Sequence, residues 1–391
     1  MNINIQKNTK TLRNEEKTDL TEDFDYSGQS EEYIRIYKQW RKNPDNPYTY
    51  NYIKNKHEIT FTDNEGFVNN SPEKKEYEVL GKILYAFGIV LIIYLFTEYV
   101  ISKFLVEVLD YLGLNIHNSF MNYSMYGGKT EVMIVMITIT LLKFCIPILI
   151  LKKAFKMPFK ASCPYKLQNP KDLFLCISLS LLVSVLTSIS RAYSNTTRDF
   201  FSFFHENNDE IFFMNQSELI IYMFFDIIIV SVITEILFRG AIFQALRQFG
   251  DFYAVIISAL FSAFMTHNIA SFPASFAVSV ISGISILRSG TMFTAFSVAI
   301  TNKIYLFMLS IIELSYSNMW FKRSTFMSLC FLISIIISSV IWNTTDKKTV
   351  LKKNFYTFLS TKQKIMTVFN SIPSLTVIFL CIIIMISDIL I

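Results

Sequence analysis

Hydrophobic positions in this chain are gathered into runs at roughly 80–107, 131–151, 172–193, 217–248, 252–270, 273–287, 291–312, 325–343 and 372–391. Crossing about 30 Å of hydrocarbon takes about 20 apolar residues in a helix, so these runs predict membrane-spanning segments. The pattern predicts an all-α fold, a polytopic membrane helix bundle of eight or nine transmembrane helices, with 273–287 the shortest candidate. Residues 1–76 carry mixed charges of both signs and predict a soluble tail ahead of a membrane domain over 77–391. In that tail the stretch from Glu31 to Lys42, EEYIRIYKQWRK, predicts a short helix, followed by a turn-rich aromatic segment. It reads either as a tail resting on the membrane surface or as a small partner-binding element.

Loop charge sets the orientation. Six lysines fall between Lys152 and Lys171 and six more between Lys347 and Lys364, while the loop after the third run is acidic around Glu206, Asp209 and Glu210. The excess of lysine on alternate loops places the tail and both lysine-rich loops in the cytoplasm, and nine spans put the C-terminus outside. The expected location is the cell membrane, with the bilayer itself as a partner. Composition agrees: 52% of residues are hydrophobic and 17% charged, with 37 Phe and 15 Met. The net charge of +5 resides in these loops and gives no reason to expect nucleic acid. Five scattered cysteines have no paired spacing, which argues against a disulfide framework or a zinc ribbon. The two halves lack the matching Gly/Pro-interrupted spans of inverted-repeat transporters.

Ionisable residues inside apolar runs are where chemistry is sought, because each costs about 2.5–3.5 kcal/mol on insertion scales unless it is paired or wet. Glu235 and Arg239 lie four apart and share one helical face, in the order that favours pairing. His267, the only histidine in an apolar run, is expected to approach them from the next helix. Asp226 should face a different neighbour, and Lys143 should snorkel to its span end; a structural role is favoured for both.

The stretch VITEILFRGAIFQALRQFG, then ISALFSAFMTH, then FAVSVISGISILRSGTMFTAFSVAITNK resembles the three motifs of the CPBP or Abi intramembrane proteases, the family of the CAAX prenyl proteases and bacteriocin-associated proteins. The resemblance covers about 217–305 and matches Glu235, Arg239, Gly240 and His267. It departs at four positions: Thr234 stands for the first glutamate of the pair, Ala263 for the second-motif phenylalanine, with Phe264 beside it, Ala299 for the third-motif histidine, and Lys303 for its asparagine, with Asn302 beside it. The family implies an intramembrane endopeptidase in which the leading glutamate and the second-motif histidine activate water, as a base or as ligands of a divalent metal such as zinc. The third-motif histidine and asparagine would hold the oxyanion. Carried onto this chain, the site residues are Glu235, Arg239, His267 and Asn302, with His267 and Glu235 as weak metal ligands and no cofactor assigned. Glu235 lies about 100° around the helix from Thr234, so it does not take the missing carboxylate's place.

Each residue also has a plain structural reading. Glu235 with Arg239 can be an ion pair fixing a helix end, His267 with Asn268 a hydrogen-bonded cavity residue, Asn302 a helix-joining group and Thr234 a back-bonded hydroxyl. Three function classes stay open. One is a catalytically impaired member that binds membrane proteins or hydrophobic and lipidated peptides, in bacteriocin immunity, envelope maintenance or export. The others are an active intramembrane endopeptidase using Glu235 and His267, and a transporter or unrelated membrane scaffold.

Overall fold

The computed structural model describes residues 21–390 except 23, 25, 27, 52–58, 63–65, 70, 119–124, 168–169, 189–215, 270, 316–319 and 345–356. The acidic loop at 206–210, His57, His205 and the lysines at 347–353 lie outside the described residues. Helices dominate. They are α1 (Glu31–Arg41), α2 (Pro72–Tyr111), α3 (Lys129–Phe155), α4 (Phe159–Ser162) and α5 (Pro170–Thr187). After the undescribed loop come α6 (Ile220–Phe249), α7 (Asp251–Phe264), α8 (Phe272–Ser289) and α9 (Met292–Ser315). The chain closes with α10 (Trp320–Thr344), α11 (Thr361–Asn370) and α12 (Ile372–Leu390). Two antiparallel hairpins add the only described strands, β1 (Ile59–Thr62) with β2 (Gly66–Asn69) and β3 (Ile116–Asn118) with β4 (Met125–Gly127).

Seven described helices are long and apolar enough to cross a membrane: α2, α3, α5, α6, α8, α9 and α10. The pair α11–α12, bent by 78°, makes eight if it counts as one span. That agrees with the expected polytopic bundle of eight or nine helices; the run at 252–270 falls short of the length of a full span among the described residues, folding as the 14-residue α7, about 21 Å long. The run 273–287, the weaker candidate by length, becomes the 18-residue α8. α7 and α8 form an antiparallel pair that enters from and returns to one end of the bundle. The start of α7 follows Phe249, whose carbonyl accepts from Lys364 Nζ at 2.6 Å, and the end of α8 meets the N-terminal segment, Gln29 Nε2 donating to Ile286 O at 3.1 Å. Gly283 lets them approach closely, for a Cβ there would stand 3.2 Å from Val255.

The N-terminal segment is built into this end of the bundle rather than resting on a surface. Ser30 caps α1 by accepting from Tyr33 N, and Tyr33, Tyr37 and Trp40 fall on one buried face. Their polar tips meet groups at or near helix ends, where backbone carbonyls run short of intrahelical donors. Trp40 Nε1 and Asn46 Nδ2 both donate to Phe155 O at 2.8 Å, at the C-terminus of α3. Tyr37 Oη donates to Gln244 O at 2.9 Å and Tyr33 Oη to Gln244 Oε1 at 2.7 Å, near the end of α6. Gln248 Oε1 accepts from Tyr50 N at 2.7 Å. Gly28, with φ at 86°, is obligatory where it passes α8, since a Cβ would lie 2.6 Å from Leu287 O. One segment thus closes the same-side ends of α3, α6 and α8. On its outer face Glu32 accepts from Lys160 at 2.7 Å and from Tyr165 at 3.0 Å and lies 3.3 Å from Lys166; Lys160, then Tyr165 and Lys166, pull its pKa down to about 2. The tail and the lysine-rich loop after the second span therefore share one end.

Candidate functional site

Apart from the pair of Asp172 and Arg288 at the ends of α5 and α8, 2.7 Å apart, charged side chains of the described spans around the motif residues meet in three groups, and each of these has one member in a π-helical stretch. These stretches are Thr97–Ile101 in α2, Phe225–Val230 and Ile236–Phe243 in α6. A π turn inserts a residue into the helix and re-aims the side chains around it, and such turns recur at functional sites. Here they turn Glu98, Asp226 and Arg239 toward partners on neighbouring helices.

The first group is the expected pair. Arg239 Nε lies 3.4 Å from Glu235 Oε2, with side-chain exposures of 0% and 7%. The contact is ionic: among the described residues Arg239 Nε and Nη1 have no hydrogen-bond partner, while Nη2 donates to Ser279 O at 2.7 Å. Glu235 Oε2 also accepts from Ser282 Oγ at 2.6 Å. Both side chains thus face α8, whose Ser279, Ser282 and Ser285 present hydroxyls along one side. Glu235 is occupied from two directions and buried.

The second group is one the sequence reading missed in part. His267 lies beyond the end of α7, in the turn before α8, with φ at 55°, a left-handed conformation uncommon outside glycine. Its Nε2 is 3.0 Å from Glu98 Oε2 of α2, and Glu98 Oε1 accepts from Lys143 Nζ of α3 at 2.7 Å. The partner of His267 is therefore Glu98, whereas Glu235 turns to Arg239 and Ser282. Lys143 faces inward to an acid and does not snorkel. The ring of Tyr99 packs edge-on to His267, with centroids 5.7 Å apart. A glutamate inside the run 80–107 carried the same signal as Glu235 and was available to find this group. Lys143 next to it in the fold was not deducible from spacing.

The third group occupies the third-motif positions. Lys303 Nζ donates to Asp226 Oδ1 at 2.5 Å and to Asp226 O at 3.2 Å. Asp226 thus has a different neighbour from Glu235, as its phase implies. Asn302 Oδ1 accepts a short bond from Ser184 Oγ of α5, which joins α9 to α5. The Ser231–Glu235 stretch of α6 packs on α9. Thr234 and Ala299 are both half-buried there, and neither supplies an acid or a base.

Among the described residues no three His, Cys, Asp or Glu side chains converge as a metal set requires. His267 brings a single carboxylate, Glu98, and Glu235 is matched by the guanidinium of Arg239, which opposes a cation there. A catalytic zinc usually takes three protein ligands. The donors present do not fit a resident divalent ion at His267 and Glu235. Cys163, in the loop after α4, is buried and its thiol is pushed up to about 12, so it is no nucleophile.

Residues 216–305 match the model of the Rce1-like family, described as type II CAAX prenyl endopeptidase Rce1-like. This segment runs from the start of α6 into α9 and holds Glu235, Arg239, His267, Asn302 and Lys303; Glu98 and Lys143 lie outside it. The stretch in which the CPBP motifs were read is thus similar to that family. No curated protein and no solved structure matches the chain. With its long apolar helices, the chain is a multi-pass membrane protein similar, over this segment, to CAAX proteases.

Proposed function

We propose that the protein is a catalytically impaired relative of the intramembrane CAAX-type endopeptidases that acts by binding membrane proteins or hydrophobic peptides. The observation that carries this reading is the bonding of Glu235. The one carboxylate kept from the first motif has Arg239 and Ser282 on the same oxygen and is buried, so it is not poised to take a proton from water. The positions that would supply the missing groups carry Thr234, Ala299 and Lys303. Losing one oxyanion donor costs about 10²–10³ in rate, and losing general acid–base help about 10²–10⁴. Binding of this kind would serve bacteriocin immunity, envelope maintenance or export, in the cell membrane.

The test is cleavage of a prenylated peptide and of an unmodified hydrophobic peptide by the purified full chain in lipid. No detectable product is expected from the wild type. The triple variant Thr234→Glu, Ala299→His, Lys303→Asn is the reverse experiment. Lys303→Asn removes the ion-pair partner of Asp226, so Asp226→Asn accompanies it. Wild-type cleavage that disappears in His267→Ala would overturn the impaired reading. It would favour the second one, an active endopeptidase, for which the carboxylate partner that His267 retains in Glu98 is the supporting observation.

A further inference from the structure

α11 and α12 meet at a bend of 78°. The bend is built into the packing. Ser371 ends α11 in an extended conformation, Pro373 follows, and Gly88 of α2 sits so close that any Cβ there would collide with Pro373 and Ser374. α12 has 19 residues, about 28 Å of helix, which crosses a bilayer without help. Its exposed Leu375, Phe379, Ile382 and Ile386 are the residues of a helix that faces acyl chains. With α12 across the membrane, the bend lays α11 close to the membrane plane, at the end of the bundle that the N-terminal segment closes.

At about 100° per residue α11 has three sides. Lys364, Thr367, Val368 and Ser371 are buried on the first. Lys364 Nζ donates to Phe249 O at 2.6 Å and lies 3.5 Å from Glu76 Oε1, and its carbonyl accepts from Tyr253 Oη at 3.2 Å. That side is therefore fixed against α2 and the start of α7. The second side carries Ile365, Met366 and Phe369, exposed by 41%, 53% and 51%, and runs on through Ile372 to Leu375 on the lipid-facing side of α12. The third side is polar and exposed: Gln363, and Asn370, whose Nδ2 donates to Tyr77 Oη at 3.1 Å. Lys362 is exposed between Phe369 and Met366 in the first turn, where a four-carbon stem carries an ammonium from an apolar side out to the phosphates. A helix with one apolar and one polar side, lying in the plane, is the form that rests at the headgroup–acyl boundary.

We propose that α11 is an in-plane helix seated in the leaflet at the capped end, cytoplasmic by loop charge, with Ile365, Met366 and Phe369 among the acyl chains of phospholipid. α12 then crosses the membrane alone. Phospholipid is the occupant because this apolar side continues the lipid-facing side of α12 around the bend. Through Lys364 and Phe249 O, α11 moors the turn between α6 and α7 to the lipid surface, and from that turn the α7–α8 pair enters the bundle. This holds whether the protein cleaves peptides or only binds them.

The experiment uses the full chain in phospholipid nanodiscs. With the five native cysteines replaced by alanine, a nitroxide is placed in turn at positions 363, 365, 366, 369 and 370, and its collisions with oxygen, which enters the acyl region, and with a water-soluble nickel complex are measured. The ratio of oxygen to nickel collisions is expected to be severalfold higher at 365, 366 and 369 than at 363 and 370. Nickel collisions at 366 and 369 as frequent as at 363 would put the apolar side in water and overturn the proposal. Low collision rates with both reagents there would mean that protein covers it, and would overturn it equally. A second measurement keeps the native cysteines, so it does not depend on the folding of the cysteine-free chain: a photoreactive benzophenone amino acid replaces Met366, and the irradiated protein is weighed by mass spectrometry. A mass increase of one phospholipid is expected. Cross-linking to a second copy, to another segment of the same chain, or to nothing would overturn the seating in lipid.

Discussion

Glu98 is the residue on which the charged interior depends most, because its two oxygens serve Lys143 and His267 at once. Glu98→Ala leaves a lysine and a histidine without their acid. Removing one partner of a buried pair costs about 3–5 kcal/mol, and the one-fifth exposure of Glu98 places the expected loss at the low end. Thermal unfolding in detergent checks it; a variant as stable as wild type would show that Lys143 and His267 find other partners. Glu32 at the membrane end gives a pH prediction of opposite character. Its folded pKa of about 2 lies below the ordinary 4.5, so its contribution is present above 4.5 and is lost as pH falls toward 2. The carboxylate's NMR titration should show a midpoint near 2 in the wild type and move upward in Lys160→Ala. The two acids also show what a sequence can and cannot give. Glu235 with Arg239 is a four-residue spacing and was legible. Glu98 with His267 joins positions 169 apart, and no local spacing encodes that.

At the scale of elements, helix existence was legible from the apolar runs, and helix length was the weak point. The run 252–270 is apolar throughout, yet α7 stops at Phe264 because the chain must turn through Thr266 and His267 to reach α8. Hydrophobicity does not distinguish a span from an apolar helix that enters and turns back. α1 was predicted as a helix, but its burial was not, since its buried aromatics find their partners about 110 to 210 residues away. Trp40→Ala should therefore destabilise the folded protein by about 3–5 kcal/mol, as expected for a buried aromatic. Tyr33→Phe, which removes only the hydroxyl shared by Gln244 and Arg247, should cost about 1–3 kcal/mol. Limited proteolysis at the N-terminal segment reads both; equal resistance in wild type and Trp40→Ala would mean that α1 contributes no stability.

For the whole molecule, the N-terminal segment, the loop after α3 and the start of α11 meet at one end, linked by Glu32 with Lys160 and by Glu76, whose Oε2 accepts from Phe358 N at 2.7 Å. α12 then runs alongside α2 away from that end, with Ser374 Oγ donating to Leu84 O at 2.7 Å. Lysine excess predicts that this end is cytoplasmic. A cysteine placed at Lys160 should resist membrane-impermeant thiol reagents in intact cells, and one placed at Leu114, exposed at the opposite end, should react. Labelling in the reverse sense would invert the assignment.

The N-terminal cap bears on the order in which the protein is made. Its residues leave the ribosome first, yet Gln244 and Ile286 are synthesised 211 and 257 residues after Tyr33 and Gln29, their respective partners. At about 5–20 residues per second the segment waits about 10–50 s for its binding surface to exist. During that interval Tyr33, Tyr37 and Trp40 are a free aromatic face beside the membrane, and the carbonyls of Phe155 in α3 and Gln244 in α6 lack the side-chain donors of the cap. Closure of the cap is therefore the step by which the beginning of the chain registers that the segment bearing the candidate site has been inserted.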